Sequence, residues 1–415
     1  MMLPFELPRF IDREEDVEFL KSLVLSVLKS EKIDASKRVF HLVGMASIGK
    51  TSLLRRYEYC LTHELPTSCS FNISFLDYAT LPVEMFVERV FRAFELQIDT
   101  HLGVQPLDND DITIEAVAQY ASRLQGNIET LQRDKAVVFL IDEVDILKRD
   151  MVEALEDYML ALWLNFPKSI FFLTGRSIVT GWKNFDLRPT ADNIRNLGAF
   201  NHEHTELQVL NENPAAKHLT DQIFEISGGS PGINKNILDQ ARGNPPEIVE
   251  LDAIRACNRE FYEAIGKAGT GLPANLAAEL LPALEALCVL PDFDKEYEVP
   301  FLLAAHKNLS GNWDVKRSIS LFSILTNIQI GPGKLIAWDM SKNAYAIEEQ
   351  TRTTLEQEIQ IRDNELRHTL HCTAMKMYTG WADEYDSDIF RNKAAYHRAK
   401  LEQAGFDPAD CEAKD

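Results

Sequence analysis

The sequence has few cysteines, and they are not arranged in pairs. Its six cysteines are scattered along the chain without any C-x-x-C motif. Disulfide-rich domains and zinc sites both require cysteines at short, regular spacings. His368, His371 and Cys372 lie close together but lack a fourth ligand, so no metal site is expected there. The pattern predicts free thiols in a reducing cytoplasm. These predicted thiols are Cys60, Cys69, Cys257, Cys288, Cys372 and Cys411.

The chain also lacks long apolar runs. A membrane-spanning helix needs about 20 consecutive apolar residues, and no segment of this sequence approaches that length. Residues 1–10 contain no basic stretch followed by an apolar one, so no signal peptide is predicted. We therefore expect a cytoplasmic protein that does not cross a membrane. Its 415 residues suffice for roughly two to four domains.

The chain has far fewer basic residues than acidic ones. Lys and Arg total 43 against 64 Asp and Glu, which gives a formal net charge of −21. A protein that binds nucleic acid regardless of sequence needs a cationic face to displace counterions. Nucleic acid is therefore not an expected partner, although the balance leaves room for a small basic patch. The segment from Asp383 onward is acidic and is predicted to be solvated.

One motif stands out in the N-terminal part of the chain. Residues 44–51 read Gly-Met-Ala-Ser-Ile-Gly-Lys-Thr, which fits the pattern G-x-x-x-x-G-K-T. A β-rich apolar run, Val39–Val43, precedes the motif, and a helical pattern from Ser52 follows it. In this strand–loop–helix context the motif predicts a phosphate-binding loop whose backbone N–H groups face the phosphates at a helix N-terminus.

The motif assigns roles to individual side chains. Lys50 would bridge the β- and γ-phosphates of a nucleotide, and Thr51 would offer its hydroxyl to Mg²⁺. The expected ligands are therefore ATP or ADP together with Mg²⁺. The residues of this loop expected to contact them are Gly44, Ala46, Ser47, Ile48, Gly49, Lys50, Thr51 and Ser52.

A second motif follows an apolar run. Residues 136–141 are all apolar, as in a strand covered on both faces, and Asp142 and Glu143 come directly after them. Open α/β sheets bind their ligands at the carboxyl ends of the strands. Asp142 is therefore predicted to hold Mg²⁺, and Glu143 to orient and polarise the attacking water. Asp145 is assigned a structural role.

A third polar group follows the strand predicted at 169–174. Its end, Thr174-Gly175-Arg176, would lie at the same sheet edge as the phosphate-binding loop. Thr174 or Arg176 could therefore sense the γ-phosphate, and arginine suits this role because its charge and planar fork persist at physiological pH. The alternative is that Arg176 pairs with a neighbouring carboxylate.

The order of the elements predicts an α/β fold for residues 1–210. Further strands at 71–75 and 205–210 complete a series in which strands alternate with helices. The helices are predicted at 82–96, 112–131 and 152–163, and another, with Asp12 as its N-cap and Glu15 three residues later, precedes the first strand. Such alternation is typical of a parallel sheet covered on both sides. We expect a nucleotide-binding domain here.

The next region is predicted to be a helical lid, residues 211–268. Ser227–Gly232 interrupts it, and Pro231 falls at the start of the second helix. The ring of Pro231 could pack on adenine. Alternatively, Gly-Gly-Ser-Pro-Gly is simply a tight turn.

A winged-helix domain is predicted for residues 269–380. Helical patterns precede two short β-like runs at 335–338 and 344–347, and a long helix at 353–378 follows them. Helices followed by a hairpin describe this type of domain. Residues 381–415 would form an acidic helical tail.

Together these motifs resemble those of STAND-type ATPases, the signal-transduction ATPases with numerous domains, of the AAA+/NB-ARC-like group of P-loop NTPases. The resemblance covers residues 8 to 380. The opening Phe10-Ile11-Asp12-Arg13-Glu14 is similar to the family's F-[IV]-G-R-E motif, with Asp12 in place of glycine. It implies contacts with adenine from the backbone near Phe10 and Ile11, and from Arg13.

The later motifs extend the resemblance. Thr174-Gly175-Arg176 resembles the family's sensor arginine motif, and Gly229-Ser230-Pro231 its G-x-P motif, whose proline touches adenine. Tyr345–Arg352 aligns with a segment in which a histidine contacts the β-phosphate of ADP, but Glu348 occupies that position. A carboxylate there would repel a phosphate. The contact that holds the ADP-bound resting state is therefore absent, is made in a different way, or falls on another residue because the alignment register is different. Residues 391–405 resemble the beginning of a helical repeat array.

The resemblance implies a nucleotide-operated switch that self-associates in the ATP state and is triggered by an unidentified protein or ligand. Glu143, Lys50 and Arg176 would carry ATP hydrolysis, which resets the switch. Two alternatives remain open. One is an origin-recognition-like AAA+ ATPase that binds DNA, and the other is a scaffold that binds ADP and never hydrolyses ATP.

Overall fold

The computed structural model describes most of the chain. It covers residues 11–29, 33–76, 78–103, 114–160, 164, 166–179, 181–243, 245–309, 313–330, 333–339 and 343–412. The predicted nucleotide contact at Phe10 lies outside the described residues. The chain divides into two compact units, Met1–Asn211 and Glu212–Asp415.

A five-stranded parallel sheet organises the first unit. Its strands are β1 (Val39–Val43), β2 (Ser68–Ser74), β3 (Ala136–Asp142), β4 (Ser169–Gly175) and β5 (Ile194–Asn196). They lie in the order β2-β3-β4-β1-β5, and every pairing is parallel. The predicted parallel sheet is therefore confirmed. Because β4 lies between β1 and β3, the three strands that carry the motifs end side by side.

Helices cover both faces of this sheet. They are α1 (Glu14–Lys29), α2 (Lys50–Tyr59), α3 (Val83–Leu102), α4 (Ile114–Leu131) and α5 (Arg149–Leu155). A further helix, α6 (His202–Glu212), follows β5 along the chain. Alternate strand residues enter opposite layers, as expected for strands buried on both faces. Phe139 and Phe171 stack at 4.8 Å in the layer shared with α3, α4 and α5. Phe40 and Phe172 stack at 5.5 Å in the layer shared with α1 and α2.

The strand predicted at residues 205–210 is wrong, because this segment belongs to helix α6. The side chain of Asn201 accepts a hydrogen bond from the backbone N–H of His204 at 2.8 Å, as a helix cap does. Buried Thr205, Gln208 and Val209 follow at helical spacing. The fifth strand is instead the short β5, which pairs with β1.

The predicted N-cap at Asp12 is also wrong. Helix α1 begins at Glu14, and the carbonyl of Arg13 accepts the bond from the N–H of Val17 at 3.0 Å. Asp12 and Arg13 both have positive φ, 52° and 136°. The Asp12 carboxylate contacts Arg13 at 3.3 Å and His204 at 3.4 Å, so it joins this segment to α6.

The second unit begins with helices and continues as a winged-helix domain. The helices are α7 (Thr220–Ser227), α8 (Pro231–Gln240), α9 (Leu251–Cys257), α10 (Arg259–Gly269), α11 (Ala274–Leu287), α12 (Glu298–Ala305) and α13 (Val315–Leu325). The strands are β6 (Gln329–Ile330), β7 (Gly333–Lys334), β8 (Ile336–Asp339) and β9 (Ala344–Ile347). Strands β8 and β9 form the predicted antiparallel hairpin, with Ile336 opposite Ile347. Both side chains are buried in the core of this unit with helices α11 to α13.

The long helix predicted at 353–378 is two helices. They are α14 (Glu349–Arg362) and α15 (Asn364–Tyr385), and the break falls at Asp363. The Asp363 carboxylate accepts a hydrogen bond from the backbone N–H of Leu366 at 3.1 Å, so it caps the second helix. Asp363 is extended, with φ −155°, which ends the first helix.

The C-terminal segment is helical, as predicted, and it packs against the rest of the second unit although most of its residues are exposed or half-buried. Helix α16 (Asp388–Gln403) packs against α15, and α17 (Ala409–Glu412) follows. His371 and His397 are wholly buried between α15 and α16, with their Nδ1 atoms 2.9 Å apart. The Nε2 atom of His371 lies 3.2 Å from Glu356 on α14, so these three helices share a buried polar network.

The prediction that all six cysteines are free thiols is wrong for two of them. Cys372 on α15 and Cys411 on α17 form a disulfide, with their Cα atoms 5.4 Å apart. They are separated by 39 positions, so no short spacing marks the pair. Cys60, Cys69, Cys257 and Cys288 are free. Among the described residues, no helix is both long and apolar enough to cross a membrane.

Candidate functional site

The phosphate-binding loop joins β1 to α2 and is shaped by two glycines. The N–H of Gly44 donates to the carbonyl of Gly175 at 3.2 Å, so the loop begins against the end of β4. A Cβ at Gly44 would lie 2.8 Å from Cγ2 of Ile48, which is buried in the core. Ser47 and Gly49 have φ values of 58° and 96°. Left-handed residues in such a loop turn successive N–H groups towards one point, which is how backbone nests bind anions.

Helix α2 presents its N-terminus at this loop. The N–H of Leu53 bonds to the carbonyl of Gly49 at 2.9 Å, and the N–H groups of Lys50, Thr51 and Ser52 precede that bond. The first N–H groups of a helix have no acceptor within the helix, so they are free to face a phosphate. Ala46 and Ser47 form the outer part of the loop. The sequence-predicted contacts from Gly44 to Ser52 are thus brought together around one helix end.

Lys50 is buried beneath the loop. Its ammonium donates to the carbonyl oxygens of Gly44 at 2.6 Å and Met45 at 2.7 Å. Burial lowers the pKa of Lys50, the negative charge of Asp145 opposes this, and the positive charge of Arg176 lowers the pKa further. The ammonium is therefore held within the loop, and its contact with the β- and γ-phosphates stays a prediction.

Asp142 connects the ends of β3 and β4 to the start of α2. One carboxylate oxygen accepts a hydrogen bond from the Thr51 hydroxyl at 2.5 Å. The other accepts from the hydroxyl of Thr174 and from the N–H of Glu143, the latter at 3.1 Å. Carboxylate and hydroxyl oxygens are the ligands that Mg²⁺ prefers. The pairing of Thr51 with Asp142 therefore fits the predicted metal ligands.

Glu143 is held in place by a residue that the sequence did not single out. Its carboxylate accepts a hydrogen bond at 2.8 Å from the hydroxyl of Ser74, the last residue of β2. Burial raises the pKa of Glu143, and the charges of Asp142 and Asp145 add to the rise, whereas the Ser74 hydrogen bond lowers it. Glu143 has a left-handed backbone, φ 60°. Ser74 lies opposite Asp142 in the pairing of β2 with β3, so it can be identified once the order and register of these strands are known.

Arg176 follows β4 and is positioned through Asp145. A carboxylate oxygen of Asp145 accepts hydrogen bonds from the N–H groups of Arg176 at 2.8 Å and Ser177 at 3.3 Å. The charge of Arg176 lowers the pKa of both Lys50 and Glu143, so its guanidinium lies within electrostatic reach of both. The structural role expected for Asp145 is therefore to hold the turn that carries Arg176.

The opening segment is anchored to the end of the first unit. Arg13 donates to the carbonyl of Gly198 at 2.6 Å, and its guanidinium lies 6.0 Å from the ring centre of Phe200. Ile11 is half-buried just before it. The adenine contacts implied for Ile11 and Arg13 stay predictions, as does the contact implied for Phe10.

Two residues of the resemblance lie in the second unit. Pro231 is the first residue of α8, with Ser230 before it as the cap position, and its contact with adenine stays a prediction. Glu348 precedes α14, and its carboxylate accepts from both the N–H and the hydroxyl of Thr351 at 2.8 Å. Glu348 is therefore a helix cap, which explains a carboxylate at this position without any phosphate contact.

No protein-family model matches this chain, and no curated protein matches it. Solved structures do resemble it. The Walker-type ATPase PABY2304 of Pyrococcus abyssi is 14% identical, over 83% of this chain and 95% of its own, with a TM-score of 0.52. Cdc6p from Pyrobaculum aerophilum is 14% identical over 88% and 97%, with a TM-score of 0.40. The Orc1 protein of Aeropyrum pernix, solved in complex with DNA, is 14% identical over 88% and 96%, with a TM-score of 0.42.

Identity at this level shows the fold alone. The chain has the fold of a Walker-type P-loop ATPase, with a parallel-sheet domain followed by helices and a winged-helix domain. The carboxyl edge of its sheet gathers an ammonium, an oxygen pair suited to Mg²⁺, a half-buried carboxylate and an arginine. Such a set can bind a polyphosphate and position water for its hydrolysis.

Proposed function

We propose that this protein is an ATP/ADP-operated switch of the AAA+ type. It binds ATP with Mg²⁺, hydrolyses it slowly, and changes conformation or oligomeric state as a result. The observation that carries the proposal is the position of Asp142, which bonds to Thr51 of the phosphate-binding loop and to Thr174 of β4 while adjoining Glu143. Phosphoryl transfer depends mainly on positioning and charge neutralisation, and these groups provide both.

Each residue has a distinct role in the proposed reaction. The N–H groups from Gly49 to Ser52 and the Lys50 ammonium bind the phosphates. Thr51 and Asp142 would hold Mg²⁺, which would supply charge neutralisation at the β- and γ-phosphates. Glu143 accepts a hydrogen bond from the attacking water and orients it. The hydrogen bond from Ser74 and the charge of Arg176 both oppose the rise in the pKa of Glu143 that burial causes, and so favour its ionised form.

The switch rests on contacts that distinguish ATP from ADP. A ligand shifts an equilibrium only by its difference in affinity for the two states, and changing a ratio of 1:99 to 99:1 needs about 5.5 kcal/mol. We propose that Arg176 and Lys50, which lie within electrostatic reach of each other, both interact with the γ-phosphate, and that the helical lid and the winged-helix domain respond. We propose self-association as the output of the ATP state, triggered by a protein or ligand that remains to be found.

The experiment identifies the nucleotide that the purified chain releases on denaturation, and then measures phosphate release from added ATP. We expect bound ADP or ATP, and slow turnover. Lys50→Ala should abolish binding, and Glu143→Gln should bind ATP but turn over more slowly by about 100-fold or more. Tight binding by Lys50→Ala would refute the loop assignment. Binding without any turnover in the wild type would identify a scaffold that holds ADP.

One observation favours a DNA-binding ATPase as a second candidate. The second unit contains a winged helix, and Lys316 on α13 and Lys334 on β7 are exposed. Helices of this kind enter the major groove in many DNA-binding proteins. Titration of duplex DNA at several salt concentrations separates the candidates. A DNA-binding ATPase requires an affinity that falls steeply with salt, whereas the switch, with its net charge of −21, requires none.

A further inference from the structure

A group of large apolar side chains is exposed on the second unit, far along the chain from the nucleotide motifs. Tyr297, Phe301, Tyr385 and Ile389 are 63%, 51%, 62% and 68% exposed. Single exposed apolar residues are ordinary, but a contiguous patch marks an interaction site. The question is therefore whether these four side chains are continuous.

Ring contacts join the aromatic members into one surface, and Ile389 is exposed directly before Phe390 in α16. Phe301 on α12 meets Trp381 on α15 at 5.8 Å between ring centres, and Trp381 meets Phe390 on α16 at 5.4 Å. Phe390 lies 6.3 Å from Tyr385. Tyr385 is within electrostatic range of Tyr297. We call this the aromatic surface. It consists of Tyr297, Phe301, Trp381, Tyr385, Ile389 and Phe390.

The aromatic surface has a firm base. Wholly buried Tyr378 contacts Trp381 at 5.8 Å and stacks on Phe390 at 6.2 Å between ring centres. The hydroxyl of Tyr378 bonds to buried Glu298 at 3.1 Å. Lys393 bonds to the same carboxylate at 3.0 Å, which ties α12, α15 and α16 together. Aromatic side chains that are already ordered lose little entropy when they bind.

Carboxylates flank the aromatic surface at the end formed by Tyr385 and Ile389. Residues 383–391 read Asp-Glu-Tyr-Asp-Ser-Asp-Ile-Phe-Arg, with four acidic residues and one basic residue. All four carboxylates are on exposed residues. Arg391 pairs with Asp386 and Asp388, and Glu384 is hydrogen-bonded to the hydroxyl of Tyr385. The apolar centre therefore has a negatively charged rim.

We infer that the aromatic surface docks a basic amphipathic segment of a partner protein, with apolar side chains facing the rings and Lys or Arg facing the rim. Aromatic anchors within a polar rim are the usual anatomy of a binding site. The negative charge of the rim indicates which kind of partner the aromatic surface can bind. Nucleic acid and anionic lipid carry the same sign as the rim, and a second copy of this chain has a net charge of −21. A cationic protein segment is electrostatically complementary to it.

The test uses the full-length chain and two fluorescent helical peptides that differ only in charge, one built from Leu and Lys and the other from Leu and Glu. Anisotropy titrations should show binding of the Leu/Lys peptide, weakened by salt, and none of the Leu/Glu peptide. Equal binding of the two peptides, or no binding of either, would overturn the inference.

A matched pair of variants separates docking from general attraction to an acidic protein. Tyr385→Ser combined with Ile389→Ser removes two exposed anchors without changing the net charge, and should weaken Leu/Lys peptide binding by about tenfold or more. Ile248→Ser is the control, because Ile248 is 61% exposed in the same unit and lies outside the aromatic surface. The control should bind like the wild type. If the double variant also does so while retaining the wild-type unfolding temperature, the inference fails.

Discussion

The carboxylate of Asp145 holds the backbone of Arg176, whose N–H donates to it at 2.8 Å. Asp145 follows β3 and Arg176 follows β4, so this bond joins the turns after two neighbouring strands. Gly175 makes the contact possible. A Cβ there would lie 2.8 Å from Cγ of Asp145 and 2.9 Å from the carbonyl oxygen of Ser177. The direction of Arg176 is thus set by a residue that need not touch nucleotide.

Asp145→Ala should reduce the preference for ATP over ADP. Without the carboxylate, the turn that carries Arg176 loses its hydrogen bonds, and we expect the guanidinium to lose the position from which we propose that it senses the γ-phosphate. Calorimetry with ADP and a non-hydrolysable ATP analogue measures the preference for the wild type, Asp145→Ala, Arg176→Ala and the double variant. We expect each single variant to weaken analogue binding about tenfold while ADP binding changes little.

The double variant distinguishes positioning from an independent effect. If Asp145 acts through Arg176, adding Asp145→Ala to Arg176→Ala should cost almost nothing more. Additive losses would show that Asp145 acts on its own. If Arg176→Ala weakened the binding of ADP and of the analogue equally, Arg176 would not be a residue that recognises the γ-phosphate.

Gly175→Ala should destabilise the first unit although it adds a single methyl group. The new Cβ would collide with Asp145 and with a backbone carbonyl, and overpacking of this kind costs about 1–3 kcal/mol. Chemical denaturation measures the free energy of unfolding. Gly126→Ala is the matched control, because Gly126 lies in α4 and a Cβ added there would meet nothing within 4 Å. That change should stabilise the protein by about 0.5–1 kcal/mol, and a similar gain at Gly175 would contradict the described packing.

Ser74→Ala should move the acidic limb of the ATPase pH profile to higher pH. The Ser74 hydrogen bond lowers the pKa of Glu143, so its removal should raise a pKa that burial already raises. Glu143 can act as a base only when ionised, and activity is therefore present above its pKa and lost as pH falls through it. Rates measured from pH 5 to pH 9 test this. Ser74→Thr keeps the hydroxyl and should show the wild-type profile. If the acidic limb of the Ser74→Ala profile did not move, that limb would report the titration of a group other than Glu143.

The buried histidine pair should make the second unit sensitive to mild acid. Burial lowers the pKa of His371 and of His397 below the ordinary value, which is about 6.5. The unfolded chain therefore takes up protons first as pH falls. The free energy of unfolding should be fully present above about pH 7 and should decline between about pH 6.5 and 5. Denaturant titrations at pH 7.5 and 5.5 measure the decline.

His397→Phe provides the critical comparison. It keeps a ring for the stacking contact with Tyr378 and removes one titrating group, so the decline should be shallower than in the wild type, although stability at pH 7.5 falls. His63→Gln, at an exposed position, should leave the pH dependence as it is. Glu356 does not reverse the direction of this pH dependence, because its pKa is lowered overall. Burial would raise the pKa of Glu356, but the His371 hydrogen bond and nearby positive charges outweigh that effect.

Local patterns predicted the centre of the first unit. Lys50, Thr51, Asp142 and Glu143 are marked by fixed spacings and by apolar runs before them, and these patterns are read within a few residues. The parallel sheet follows from the same runs. Ser74 carries no such mark, because it reaches Glu143 only when β2 lies beside β3 in the observed register. A hydrogen bond made across strands is invisible until the strand order is known.

The errors have the same origin. The break at Asp363 depends on a side chain that caps a new helix at Leu366, although the helical pattern runs on through it. Residues 205–210 contain β-prone side chains, but the cap at Asn201 and burial at helical spacing outweigh that propensity. The resemblance aligns Glu348 with a residue that contacts phosphate, whereas its carboxylate accepts hydrogen bonds from Thr351, three residues away.

The bond between Cys372 and Cys411 encloses the whole of α16 in a covalent ring. A peptide bond cleaved anywhere inside that ring would leave both fragments attached to each other. A fragment cut from this end of the second unit would therefore separate only if the disulfide were reduced as well as the peptide bond cleaved.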